Sequence, residues 1–259
     1  MKAVALITGA SSGIGREFAR IHARAGWDLV LVARRLDKLQ ELEKELSDVR
    51  DCKIMLIQKD LTQAHACQEI YDELKRFGVE PEYLINNAGF GGLGKFAERK
   101  WKDESSMIAL NITALTQLCH LFLPEMISRN TGKILNVSST ASLLPWPLQA
   151  VYYATKAYVT SFSNALNEEL YDTNISVTTL LPGATATEFG AISGMDKTSF
   201  FSKTASAENV ALDGYRGMME WKLNVISGLT FSQKITMKLL PFLSKKMVLR
   251  MVRKGQEVK

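Results

Sequence analysis

Tyr152 and Lys156 stand four residues apart in Tyr152-Tyr153-Ala154-Thr155-Lys156, which opens a helical pattern running to about residue 173. That spacing puts both side chains on one face of a helix. A free phenol titrates at about pH 10 and is a poor acid or base at neutral pH, but a neighbouring ammonium favours the phenolate. Tyr153 has alanine four residues on and so lacks that neighbour. Ser139 lies thirteen residues before Tyr152, just after an apolar run at 133–138. The carboxyl end of a parallel strand is where such sheets present groups to ligands. Phenol and ammonium together suit acid–base chemistry, with Ser139 placed where a ligand would meet it.

A second constellation is Thr8-Gly9-Ala10-Ser11-Ser12-Gly13-Ile14-Gly15, placed where a first strand hands over to a first helix. Glycine there permits backbone angles that a Cβ opposes and lets the chain approach a pyrophosphate closely. The amides opening the helix then favour an anion. The same residues satisfy G-x-S-x-G, a hydrolase nucleophile elbow. Two facts reject that reading. No earlier strand-to-helix loop exists to supply a second oxyanion donor, and no histidine follows His120, in the last 139 residues.

The elements that must position these groups are legible as short apolar runs at 3–8, 29–33, 53–57, 83–86, 133–138 and 176–181. Helical patterns at 14–25, 36–46 and 66–77, and others further on, alternate with them. Near-continuous apolar strands between helices predict a parallel sheet covered on both faces, a doubly wound α/β domain. No repeat, low-complexity tract or linker divides residues 1–259. One domain is expected, with residues 230–259 as a basic amphipathic extension.

The composition, 46% hydrophobic and 23% charged over 259 residues, is ordinary globular usage and excludes disorder or a disulfide-dense miniature. Three cysteines without CxxC spacing point to a reducing cytoplasm. The long uncharged stretches 105–124 and 134–155 carry Asn111, Gln117, Asn136 and prolines, so both read as buried interior rather than membrane spans. The apolar run after Lys2 is too short for a signal peptide. Residues 233–259 hold eight Lys/Arg against one acid, which leaves −2 for residues 1–232 and no case for nucleic-acid binding.

The chain resembles the short-chain dehydrogenase/reductase family over nearly all of residues 1–230. The resemblance rests on Thr8–Gly15, Asn-Asn-Ala-Gly at 86–89, Asn111, Ser139, Tyr152 with Lys156, and Pro182-Gly183. It is nearest to bacterial oxidoreductases similar to hydroxysteroid and 3-ketoacyl reductases. It implies a single Rossmann-like domain with a small helical substrate lid, and a homodimer or homotetramer. By the same resemblance Tyr152 is the proton donor in reduction, Lys156 holds the nicotinamide ribose, Ser139 binds the substrate oxygen, and Asn111 anchors a relay water. Gly9, Ser11, Ser12, Gly13, Ile14 and Gly15 take the pyrophosphate. Asp60 and Leu61 meet the adenine, and Asn87, Ala88 and Gly89 the adenosine ribose. Pro182, Gly183, Thr185 and Thr187 complete the cofactor set, Thr187 at the carboxamide. No metal is called for.

Cofactor choice turns on the end of the second strand, where members preferring NAD carry an acid. Here stand Arg34 and Arg35, with no acid before Asp37. Two guanidiniums suit a 2′-phosphate, so NADP(H) is expected. Phe90, Leu144, Trp146 and Phe189, with Ser139 and Tyr152, are expected to wall an apolar carbonyl or alcohol substrate. The rival expectation is a dinucleotide-binding scaffold or sensor without turnover, which would have no need of Ser139. For the tail, with Leu239, Leu243 and Met247 among its apolar positions, helices packing on the domain edge or a second subunit are favoured. Contact with an anionic membrane surface or an acyl carrier is the disfavoured alternative.

Overall fold

Along β1 (Val4–Thr8) the side chains alternate between two hydrophobic clusters. Ala5 and Ile7 join one, and Leu6 joins the other. In β2 (Asp28–Ala33), Leu29 and Leu31 take the first side while Val30 and Val32 take the second. Both faces of these strands are therefore dry, as parallel strands between helical layers require.

The structure is a computed structural model and describes residues 2–47, 52–198, 201 and 203–230, with isolated positions Gln233, Ile235, Lys246, Leu249 and Arg253 beyond. The remaining strands are β3 (Ile54–Gln58), β4 (Tyr83–Asn86), β5 (Gly132–Val137), β6 (Ile175–Pro182) and β7 (Asn224–Ser227). All neighbours run parallel in the order β3-β2-β1-β4-β5-β6-β7. The expected doubly wound, Rossmann-like α/β sheet is present.

One layer is formed by α1 (Gly13–Arg24) and α2 (Leu36–Ser47), with α8 (Ala207–Met219) completing it through Val210, Ala211 and Met218. The opposite layer holds α3 (Ala66–Arg76), α5 (Leu115–Arg129) and α6 (Ala150–Glu169). α4 (Trp101–Ile108) runs into α5 through a π-helical turn, Ala109–Ala114. The continuous run Trp101–Arg129 is long and apolar enough to cross a membrane by length and composition. Here it lays Leu115, Leu118, Cys119, Phe122 and Met126 on the sheet, which agrees with the interior reading of 105–124. Between β6 and α8 a short helix, α7 (Phe189–Ser193), and a 3₁₀ turn form the expected small lid. Its two ends are tied by a bridge between Thr185 and Ala205. The apolar stripe expected at Leu239, Leu243 and Met247 lies outside the described residues.

Candidate active site

The residue that follows each strand lines one cavity of about 830 Å³: Gly9, Arg34, Lys59, Asn87, Ser138, Gly183 and Gly228, in chain order. Parallel strands end on the same side, so one edge of the sheet collects seven loops, and ligands of open α/β sheets bind outside those ends. The glycine turn forms one wall. Gly13 has φ +53°, and a Cβ there would stand 2.9 Å from Thr187 Cγ2. The Ser12 side chain does not cap the N-terminus of α1, which leaves its first amides as donors for a ligand. The turn is clamped from β4: Thr8 Oγ1 accepts from the amides of Asn87 and Ala88 at 3.0 Å each, and Asn87 Nδ2 donates to Thr8 O at 3.0 Å.

Ser139, Tyr152 and Lys156 face this turn across the cavity. Ser139 leads a 3₁₀ turn, Thr140–Leu143; its hydroxyl accepts from the Ala141 amide at 3.1 Å and donates to Pro182 O at 3.3 Å. Burial pushes the Tyr152 phenol up to about 12, opposed by a hydrogen bond with Ser139. Burial likewise brings Lys156 down to about 8. The expected pull of Lys156 on Tyr152 is not what the side chains display: Lys156 Nζ donates to Val137 O at 2.8 Å, and Ser139 is the group that lowers the phenol. A helical face shared by two residues does not make their polar ends meet when a strand carbonyl competes for the longer one.

Of the expected residues, Gly9, Ser11, Ser12, Gly13, Ile14, Arg34, Arg35, Asp60, Leu61, Asn87, Ala88, Gly89, Ser139, Tyr152, Lys156, Pro182, Gly183, Thr185 and Thr187 line the cavity. So do Phe90, Trp146 and Phe189. Gly15, Asn111 and Leu144 are the expected residues that do not line it. Gly15 is buried behind the turn, where a Cβ would meet Gly9 O at 2.3 Å; it lets α1 pack on the turn. Asn111 is 1% exposed in the π-turn. Its carboxamide accepts from Phe90 N at 3.1 Å and donates to Phe90 O at 2.9 Å, so it holds a wall residue in place. Leu144 is the residue after the Ser139 turn, and Ala141 and Trp146 form that wall instead. Gly89 stands between the deeper groups: a Cβ would lie 3.1 Å from Asn111 Oδ1 and 3.3 Å from Lys156 Nζ.

A family model for short chain dehydrogenases matches residues 3–197. The chain belongs to that family. Among its relatives is the mouse 17-beta-hydroxysteroid dehydrogenase type 3, 38% identical over 189 residues, which are 71% of this chain and 60% of that protein. The matched part thus spans about three fifths of the relative's length. A short-chain dehydrogenase from Sphingobium yanoikuyae, solved in complex with NADPH, is 32% identical with a TM-score of 0.82, covering 93% of this chain and 96% of that one. The bulky-bulky ketone specific alcohol dehydrogenase from Comamonas testosteroni is 30% identical with a TM-score of 0.79, covering 93% and 92%.

For this short chain dehydrogenase, sequence reasoning missed two cavity residues of consequence. Tyr153, set aside as partnerless, is 8% exposed and lines the cavity, stacked on Trp146 with ring centroids 5.1 Å apart. Its adjacency to Tyr152 at a helix start was the available signal. Glu188 also lines the cavity and pairs with Arg35. Only an acid standing next to Thr187 hinted at it.

Proposed function

We propose that the protein is an NADP(H)-dependent oxidoreductase that interconverts an apolar ketone or aldehyde and its alcohol, with Tyr152 as the proton donor or acceptor. The observation that carries this reading is that one cavity joins an uncapped helix N-terminus to Ser139, Tyr152 and Lys156. The residues fit a dinucleotide: the glycine turn leaves backbone amides beside open space, and Arg34 and Arg35 supply cations where a 2′-phosphate would lie. A nicotinamide bound there supplies or accepts the hydride. The NADPH complex of the Sphingobium relative supports this cofactor.

The protein's own residues then handle the oxygen. Ser139 and Tyr152 converge as donors on a carbonyl oxygen and stabilise the charge that grows on it. Tyr152, held protonated at neutral pH by burial, gives up its proton as that charge appears. Lys156, 5% exposed, keeps a cation beside Gly89, and Asn111 fixes the Phe90 backbone. Phe90, Trp146, Tyr153 and Phe189 exclude water from the reacting end. This apolar wall, and the ketone and steroid named for two relatives, support a bulky apolar substrate. A cytoplasmic setting belongs to the same reading, supported by three cysteines without CxxC spacing, of which Cys67 and Cys119 are buried thiols. The test is a panel of ketones and aldehydes scored by NADPH consumption, wild type beside Tyr152→Phe. Consumption absent with every compound, or undiminished in the variant, defeats the proposal.

A further inference from the structure

Glu188 stands between Thr187 and the lid helix α7, and its carboxylate reaches the far side of the glycine turn. Its Oε2 accepts from Arg35 Nη2 at 2.7 Å, and its Oε1 accepts from Arg35 Nη1 at 3.3 Å. Arg35 Nη2 also donates to Ser11 Oγ at 3.3 Å. The Ser12 hydroxyl hydrogen-bonds the same carboxylate. All four residues line the cavity, at the uncapped end of α1. A carboxylate held by a guanidinium fork and by the Ser12 hydroxyl of this turn occupies the chemistry a phosphate monoester would use, since both anions accept two parallel bonds from arginine.

We propose that Glu188 is a resident anion that competes with the cofactor's 2′-phosphate for Arg35, and so sets how strongly the protein prefers NADPH to NADH. The proposal rests on the NADP(H) reading above. Both partners are half exposed, at 42% and 50%, so the pair is weak enough for a phosphate to displace.

The test is equilibrium binding of NADPH and NADH, read by their fluorescence, to wild type, Glu188→Gln, Arg35→Ala and the double variant. Glu188→Gln should tighten NADPH about three- to fivefold and move NADH by less than about twofold. With Arg35→Ala in place, Glu188→Gln should shift NADPH by less than about twofold, because the competed group is gone. Unchanged or weakened NADPH binding in Glu188→Gln, or equal tightening of both cofactors, overturns the proposal. A wild type that favours NADH would instead refute the NADP(H) reading. The change in the NADPH-to-NADH ratio caused by Glu188→Gln decides the role of Glu188 in either case.

Discussion

Tyr152 and Tyr153 are neighbours in sequence, both buried and both on the cavity, yet they differ in the company of their hydroxyls. Tyr152 has Ser139, whereas the Tyr153 ring is stacked on Trp146. Tyr152→Phe should therefore abolish turnover while NADPH binding stays within a few fold, as steady-state rates and cofactor titration would record. Tyr153→Phe should keep kcat within a few fold, since it removes no proton from the reaction. A collapse of kcat in Tyr153→Phe would move the acid role one residue along. At the other end of the cavity, replacing Arg34 and Arg35 together by alanine removes two charge-assisted contacts of about 1.5–3 kcal/mol each when well formed. NADPH affinity should fall at least about tenfold with NADH little changed, because an Arg35 already paired with Glu188 contributes less than its full share. The spacing of Ser139, Tyr152 and Lys156 was legible because a helix period and a strand end fix where such residues go. The Arg35–Glu188 pair was not, since it joins positions 153 apart through a fold that local pattern does not encode.

Element boundaries read from apolar runs fall within a residue or so of the observed ones for β2, β4, β5 and β6, because burial on both faces makes those runs conspicuous. β7 escaped notice for the converse reason. It has four residues, pairs among the described residues with β6 alone, and leaves Asn224 and Ile226 exposed. The π-turn at Ala109–Ala114 was also unreadable, since one extra residue per turn leaves no mark on a hydrophobic pattern. That turn carries Asn111, whose side chain bonds Phe90 N, Phe90 O and Thr155 Oγ1. Asn111→Leu keeps the branched shape, in a larger side chain, but leaves the two part-buried Phe90 backbone groups without their partner. The expected loss is about 1–3 kcal/mol for each unpaired group. At about 2–4 °C per kcal/mol for a chain of this size, the melting temperature should drop by roughly 5 °C or more. A melt superimposable on wild type would mean that the Phe90 segment finds other partners.

The two core clusters are separated by the sheet, and His22 sits in the layer of α1, α2 and α8, where it meets parts of the chain far apart in sequence. It is fully buried on α1, edge-on to Trp27, to Tyr83 of β4 and to Tyr215 of α8. Nδ1 donates to Phe18 O at 2.7 Å, while Nε2 has no partner among the described residues. Burial lowers its pKa from 6.5 to about 4. The unfolded chain therefore binds the proton first. Stability is intact above pH 6.5, falls as pH drops through the interval to 4, and is lower by about 3 kcal/mol at its foot. Glu45, held at about 2 by Arg20 and Arg16, works in a lower window: its contribution is lost only below pH 4.5. Between pH 4.5 and 6.5 the loss thus belongs to His22 rather than to that ion pair. Urea unfolding of wild type across this interval should show stability falling with acidity. His22→Phe, which fills the aromatic cage without a titrating nitrogen, should flatten the slope there and leave the decline below pH 4.5 in place. Parallel slopes in the two proteins would show that protonation of His22 does not govern the acid limit of the fold.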